Sequence, residues 1–474
     1  MRRRRVGILT FSDGRDFAYR QLYEMNRHFQ NRLVQALEDT GEIEPIAGEI
    51  VGTPEQARNE ARRLADAAVE CTILNYAVWA FPHLTAIASQ FAPGPFLCFS
   101  NINPEYPGLV GMLASAGALE AIGVFHHRIS GDIADPAVRA RVLTFLRAAS
   151  AVHRLRGETY GIFGGRSMGM YTAVPDLAQW QRDFGIDIEH IDQWEIVRRA
   201  AEVPQERVTA ARRWLEEMCA VVAYDGKNLT PETLERQVRS YYALRALIDE
   251  WKLDFCGIKG QPELTNAFCT MDLTEAFLND PYDWDGPHEP IVCATEADSD
   301  GALTMEILKH LSGTPVLFAD VRHYDAEDDC WHLVNSGQHP TYFAGRSFDP
   351  RENLSRVRLL PEIFYFPAGG ASVQHIAAPG QVTLARLSRR NGRYWMAILP
   401  ATFLDLPPEK AEEKARATTW EWPHAFARFQ VSPEAFVAVY SSNHIHGVYG
   451  TWVEELRWVC RILGIEAVVL GGET

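Results

Sequence analysis

The chain has 474 residues, with 46 Lys and Arg against 62 Asp and Glu, a formal net charge of −16, and 47% hydrophobic residues. At roughly 150 residues per domain this length suggests about three domains, and the composition is that of a folded chain, not a disordered one. The acidic balance argues against a broad nucleic-acid surface, and no apolar run reaches the roughly 18 residues that a membrane-spanning helix needs. The eight cysteines, Cys71, Cys98, Cys219, Cys256, Cys269, Cys293, Cys330 and Cys460, contain no C-x-x-C spacing and lie mostly in apolar segments. That pattern predicts buried thiols in a reduced, cytoplasmic protein, not a disulfide or zinc framework. The basic start MRRRRVGILTF has too short an apolar run for a secretory signal and reads as a first strand.

In the first 150 residues, strand and helix patterns alternate. VGILTF from Val6 reads as a strand, and Phe17 to Glu38 as an amphipathic helix. Thr53 followed by Pro54 is a helix start, with a capping side chain and a fixed φ at the first helical position. CTILNYA, HLTAIASQ, FLCFS and GLVGMLASAGALEAIG continue as strand, helix, strand and helix. Short apolar strands between helices predict a parallel sheet covered on both faces. Functional side chains are expected where such strands end.

A second α/β unit starts near Glu158. TYGIFGG reads as a strand leading through Gly164-Gly165-Arg166-Ser167-Met168-Gly169 into a helix. This turn matches neither G-x-G-x-x-G nor the P-loop pattern, which speaks against a dinucleotide enzyme or a kinase. Long helices are expected over Gln205 to Val222 and Pro231 to Trp251, then the strands LDFCGI and PIVCAT, a helix GALTMEILKHLSG and the strand PVLFAD. Beyond Pro315 the segments become short and β-prone, WHLVNSG, QVTLARLSRR and NGRYWMAILP, with Asn391-Gly392 as a hairpin turn. This predicts an antiparallel, barrel-like part. The strand AFVAVY, the helix TWVEELRWVCRILG and the strand EAVVL complete the chain.

Two carboxylates stand out. Glu296 closes PIVCAT and Asp320 closes PVLFA, 24 residues apart. In a right-handed β-α-β unit that spacing puts both at one sheet edge. Converging carboxylates favour a divalent cation or a shared proton; the plain alternative is that both merely cap turns. In Ser441-Ser442-Asn443-His444-Ile445-His446-Gly447, two histidines at i and i+2 share a face if the segment is a strand. Carboxylate oxygens with one imidazole suit Mn²⁺ or Mg²⁺ better than structural zinc.

TEADSDGALT with FADV after it, then SSNHIHGVYG, resembles the L-fucose isomerase family, which is grouped with L-arabinose isomerase. Ser12-Asp13-Gly14-Arg15, the Gly164–Gly169 turn, Lys259-Gly260-Gln261 and Thr419 to Phe426 are also similar to it. The resemblance implies two α/β parallel-sheet domains followed by a C-terminal domain with an antiparallel β-barrel, with boundaries at 1–157, 158–312 and 313–474. It implies a hexamer with active sites between subunits. It also implies Mn²⁺, with Mg²⁺ or Co²⁺ as alternatives, held by Glu296, Asp320 and His444. His444 is preferred to His446 because it follows Asn443, and Glu296 and Asp320 are the proton-transfer pair. Candidate sugar contacts are Arg15, Trp79, Gln261, Ser336, Trp422 and Asn443. Their plainer readings are a local salt bridge for Arg15, a loop cap for Gln261, core packing for Trp422 and loop orientation for Asn443. The implied activity is interconversion of L-fucose and L-fuculose, and of D-arabinose and D-ribulose, through an ene-diol. The chain is shorter than the best-known enterobacterial members, largely after Asp320. An isomerase for another aldose such as L-arabinose, or a sugar-binding protein without catalysis, remain the alternatives.

Overall fold

The structure, a computed structural model, describes residues 3–471. Two compact units emerge, one formed by Met1–Arg154 with Glu454–Gly464, the other by Leu155–Val453 with Ile465–Thr474.

The first unit is built on a parallel sheet of β1 (Arg4–Phe11), β2 (Ile43–Ala47), β3 (Cys71–Tyr76), β4 (Phe96–Ser100) and β5 (His126–Ser130), in the order β2-β1-β3-β4-β5. Successive side chains feed two cores. Leu9, Phe11, Leu74, Tyr76 and Cys98 pack on one face, and Val6, Ile8, Ile73, Leu97 and Phe99 on the other. This explains why β3 and β4 are apolar without alternation: helices cover both sides. The helix Pro54–Asp66 starts as Thr53 and Pro54 predict, with a capping box closed by Gln56. The strands β2 and β5 and the helix Pro136–Leu155 were not among the predicted elements. Both strands lie at sheet edges and are only partly buried, so IEPIA and HHRIS lack the apolar signature of the inner strands. The described helices include none long and apolar enough to cross a membrane.

The second unit carries a parallel sheet of β6 (Thr159–Phe163), β7 (Asp187–Ile191), β8 (Phe255–Ile258) and β9 (Cys293–Ala294), in the order β9-β8-β6-β7. Seven further strands follow: β10 (Leu317–Asp325), β11 (Cys330–Val334), β12 (Gly380–Arg390), β13 (Arg393–Phe403), β14 (His424–Phe429), β15 (His444–Tyr449) and β16 (Glu466–Val469). Antiparallel pairings run β12–β15–β10–β11–β14–β13, and β13 pairs back onto β12, so the sheet returns on itself as a ring. Only β16 joins in parallel, on β13; the sheet is therefore mixed. Leu317, Ala319, Leu333, Leu384, Ala397, Ala425 and Ile445 fill one core of this sheet. The β12–β13 hairpin turns at Asn391-Gly392, both at positive φ (51° and 75°), with Arg390 paired to Arg393. That is the two-residue turn which Asn-Gly favours.

Four expectations are corrected here. AFVAVY is not a strand. It lies largely in the helix Pro433–Val439, started by the Ser432 cap and Pro433, a stronger local signal than six apolar residues without period. No helix follows the Gly164–Gly169 turn directly; the chain stays irregular until Leu177. The helix from Gln205 stops at Met218, short of Val222. Most consequentially, Glu296 and Asp320 do not share a sheet: β9 ends in the parallel sheet, whereas Asp320 lies inside β10 of the ring. The helix Ser299–Ser312 joins the two sheets and is buried along almost its whole length.

Candidate active site

Glu296 sits in a single 3₁₀ turn after β9, with left-handed backbone (φ 57°, ψ 19°). A non-glycine residue there is uncommon, at a cost of order 1 kcal/mol. The turn brings Glu296 Oε2 to 3.3 Å from His444 Nε2. Asp320 is set by register. In the β10–β15 pair it lies opposite His444, and its Oδ1 is 3.4 Å from the same nitrogen. His444 and His446 do share a face, on β15 and not in a turn, and Phe318 packs on both rings at 4.5 and 4.8 Å.

Behind His444 lies a carboxylate that the sequence reading did not single out. Asp298 Oδ2 accepts from His444 Nδ1 at 2.7 Å and from Arg386 Nη1 at 2.6 Å. Asp298 Oδ1 accepts from Arg386 Nη2 at 3.0 Å and from the Gly301 backbone N–H at 3.1 Å. Both Asp298 and Arg386 are wholly buried. Burial alone would raise the Asp298 pKa, but Arg386 and His444 hold it well below the usual carboxylate range. For His444, burial pulls the pKa down, yet the hydrogen bond to Asp298 and the neighbouring carboxylates of Glu296 and Asp320 raise it to about 10. Burial raises Asp320, only partly offset by His444. The only available signal for Asp298 was its place as the second acid of Thr-Glu-Ala-Asp.

Around Asp320, Asn335 donates to its Oδ2 at 2.9 Å and Asn443 to its Oδ1 at 3.3 Å. Ser336 is buried and donates from both N and Oγ to Asn335 Oδ1. Trp422 is 5% exposed and its indole N–H donates to Glu362 Oε2 at 3.1 Å. Glu362 faces Asp272; burial raises both pKa values, and their proximity raises Asp272 further. Glu275, also buried and near Glu296, is raised to about 8. Gln261 follows β8, the parallel neighbour of β9, and so lies at the sheet edge that carries Glu296. Arg15 and Trp79 lie in the first unit. Arg15 forms the local salt bridge of its plainer reading, a fork on Asp13 with contacts of 2.5 and 3.0 Å, and Trp79 is half-buried.

Glu296, Asp320 and His444 present two carboxylates and an imidazole nitrogen, and buried His444 Nε2 has no hydrogen-bond partner. That donor set fits a hard divalent cation. A different cluster, Glu158, Glu306 and His310, has its ligand atoms within 4.8 Å of one another. There, however, Lys309 Nζ already reaches Glu306 at 2.5 Å, and His310 reaches Glu158 at 2.7 Å; the Lys309 ammonium already stands where a metal would be needed.

A parallel α/β layer joined to a ring-like sheet, with an acid pair and a histidine at the junction, is the build of a sugar isomerase. Models of the first N-terminal, second N-terminal and C-terminal domains of L-fucose isomerase match residues 3–157, 252–313 and 333–470. The chain belongs to the L-fucose isomerase family. It is 26% identical to the L-fucose isomerase of Haemophilus influenzae strain PittEE, over 94% of this chain and 89% of that protein. It is 25% identical to that of Vibrio vulnificus, over 94% and 90%, and 25% identical to that of Bacteroides thetaiotaomicron, over 97% and 92%.

Proposed function

We propose that this chain is an aldose–ketose isomerase that interconverts L-fucose and L-fuculose, and D-arabinose and D-ribulose, with a divalent metal held by Glu296, Asp320 and His444. The observation that carries the reading is the approach of Glu296 and Asp320 to one nitrogen of His444, at 3.3 and 3.4 Å. Mn²⁺ is the expected ion, with Mg²⁺ or Co²⁺ as substitutes. When bound, the cation polarises the carbonyl and hydroxyl oxygens at C1 and C2 and favours the ene-diol.

The chain's own groups do the rest. Isomerisation needs a proton taken from one carbon and returned to its neighbour, and Glu296 and Asp320 are the pair that move it. Burial raises the Asp320 pKa, which makes its carboxylate a better base. Asn335 and Asn443 each donate to one Asp320 oxygen and hold its plane. Asn443, Ser336 and Gln261 face sugar hydroxyls, and Trp422 stacks on the apolar face of the ring. Arg15 and Trp79 complete the pocket of a neighbouring copy in a hexamer. The exposed Ile102, Leu109, Val110 and Leu113 of the first unit support a surface that another subunit covers. Domain boundaries fall near 157 and 313, the ring of strands is a β-barrel, and the enzyme works in the cytoplasm without nucleic acid or membrane.

The test is a ketose assay over an aldose panel, on metal-stripped protein with and without Mn²⁺. The expected result is Mn²⁺-dependent turnover, L-fucose and D-arabinose first, and none in Glu296→Gln. Full turnover in chelator would overturn the metal, a preference for L-arabinose would reassign the substrate, and sugar binding without ketose would leave only a binding protein.

A further inference from the structure

The buried pair Asp298–Arg386 lies behind the proposed metal ligands, and its hydrogen bonds leave little freedom. Asp298 accepts four: two from Arg386, one from Gly301 and one from His444 Nδ1. An ionised carboxylate only accepts, so Nδ1 must carry the hydrogen. The lone pair of a neutral His444 is thereby confined to Nε2, the atom aimed at Glu296 and Asp320. The same Arg386 Nη1 contacts His446 Nε2 at 3.0 Å. A guanidinium can only donate, so His446 Nε2 is an acceptor already in use, and the hydrogen of His446 sits on Nδ1. Two histidines on one strand face are thus made unequal by one arginine.

The pieces come from three places: Asp298 caps the helix Ser299–Ser312, Arg386 belongs to β12, and His444 and His446 to β15. Arg386 and Asp298 are both fully inaccessible. A buried charge pair depends on satisfied lone pairs and protons; here every Asp298 acceptor is used, and on the arginine Nε alone is without a partner. We infer that Asp298 and Arg386 are positioning residues: together they fix the Nδ1–H tautomer and the orientation of His444 for a divalent cation, and they exclude His446 from the coordinating set. Outer carboxylates of this kind raise the basicity of a ligating imidazole and typically change metal affinity 10–100-fold.

This inference rests on the metal-site reading above, and the experiment separates the two. Mn²⁺ is titrated calorimetrically, at one pH, into metal-stripped parent, His444→Gln, Asp298→Asn and His446→Gln. Far-UV circular dichroism and metal-free thermal unfolding check the fold of each. In Asp298→Asn the arginine captures the single amide oxygen. The amide NH₂ is left facing Nδ1, which drives the imidazole proton to Nε2. Mn²⁺ binding is therefore expected to weaken about 10–100-fold, while in His446→Gln the new amide oxygen still accepts from Arg386 and affinity stays within about threefold of the parent. If Asp298→Asn does not fold, the double variant Asp298→Ala/Arg386→Met, which removes both buried charges together and leaves Nδ1 no acceptor, takes its place with the same expectation. A folded Asp298 variant that binds Mn²⁺ as the parent does would overturn the positioning role, and a His446→Gln loss as large as that of His444→Gln would overturn the exclusion. If the parent binds no Mn²⁺, or His444→Gln binds it as the parent does, the metal site itself is wrong.

Discussion

Gly337 offers a direct test of how the pocket wall is held. It has φ +79°, and a Cβ added there would lie 2.7 Å from Asp272 Oδ2, 2.7 Å from Ser372 Oγ and 2.8 Å from Glu362 Oε1. Real Cβ contacts are never that short, so Gly337→Ala must push three oxygen-bearing side chains apart. The left-handed backbone costs an alanine about 1 kcal/mol, and overpacking a filled interior adds about 1–3 kcal/mol. The expected loss of stability is therefore about 2–4 kcal/mol. The same displacement reaches the chemistry, because Asn335, two residues away, donates to Asp320 at 2.9 Å. A shift of about 1 Å in such a group can cost up to ~10²-fold, and kcat/KM should fall by one to two orders of magnitude. Gly117 is the control. It is exposed within the helix Gly108–Ala121, with nothing within 4 Å of its would-be Cβ, so Gly117→Ala should gain about 0.5–1 kcal/mol. Denaturant unfolding and steady-state assays on both variants decide the matter. A Gly337→Ala protein within about 0.5 kcal/mol of the parent and equally active would refute the packing argument.

Asp320→Asn keeps the size of the side chain but cannot accept a proton; kcat should drop about 10²–10⁴-fold with unfolding midpoints unchanged to within a few degrees, and retained turnover would remove Asp320 from proton transfer. Trp422→Ala should raise KM for the sugar by about tenfold, the worth of one ring-stacking contact, with a smaller change for Trp422→Phe; an unchanged KM in both would leave Trp422 as core packing. His375 is buried with Nδ1 donating to the Val373 carbonyl at 3.0 Å, and burial lowers its pKa from 6.5 to about 4. A folded pKa below the unfolded one means that the histidine's contribution is complete above pH 6.5 and is lost as pH falls toward 4. Between pH 7 and 4 the parent should lose up to about 3 kcal/mol relative to His375→Leu, read from denaturant midpoints against pH; a pH-independent offset would show that His375 protonates freely in the native state.

What could be read in advance follows the range of the forces involved. Thr53-Pro54 and Asn391-Gly392 act within a few residues, and both elements form as their local chemistry dictates. The edge strands β2 and β5 owe their existence to a neighbour, not to their own apolarity, and were invisible. Glu296 and Asp320 were found through the wrong geometry: they meet because the helix Ser299–Ser312 carries the chain from one sheet to another, not because they share an edge. Asp320 opposite His444 is a matter of strand register, which no local pattern encodes. Asp298 was in plain view beside Glu296, but its partner Arg386 is 88 residues away, and only the pair has a role.

The first unit is closed by a piece of chain from far downstream. Trp458, in the Glu454–Gly464 segment, lies 4.1 Å from the ring of His127 and 5.4 Å from that of Phe145, and Glu455 takes an ion pair from Arg147. On the ribosome, residues 155–453 are made between the sheet and the helix that covers it. At about 5–20 residues per second that interval lasts about 15–60 s, and through it the Phe145 face stands open. The order of completion is thus inverted: the part synthesised first is the part finished last. Its uncovered apolar face is where a nascent chain of this protein would first engage a chaperone or a misplaced neighbour.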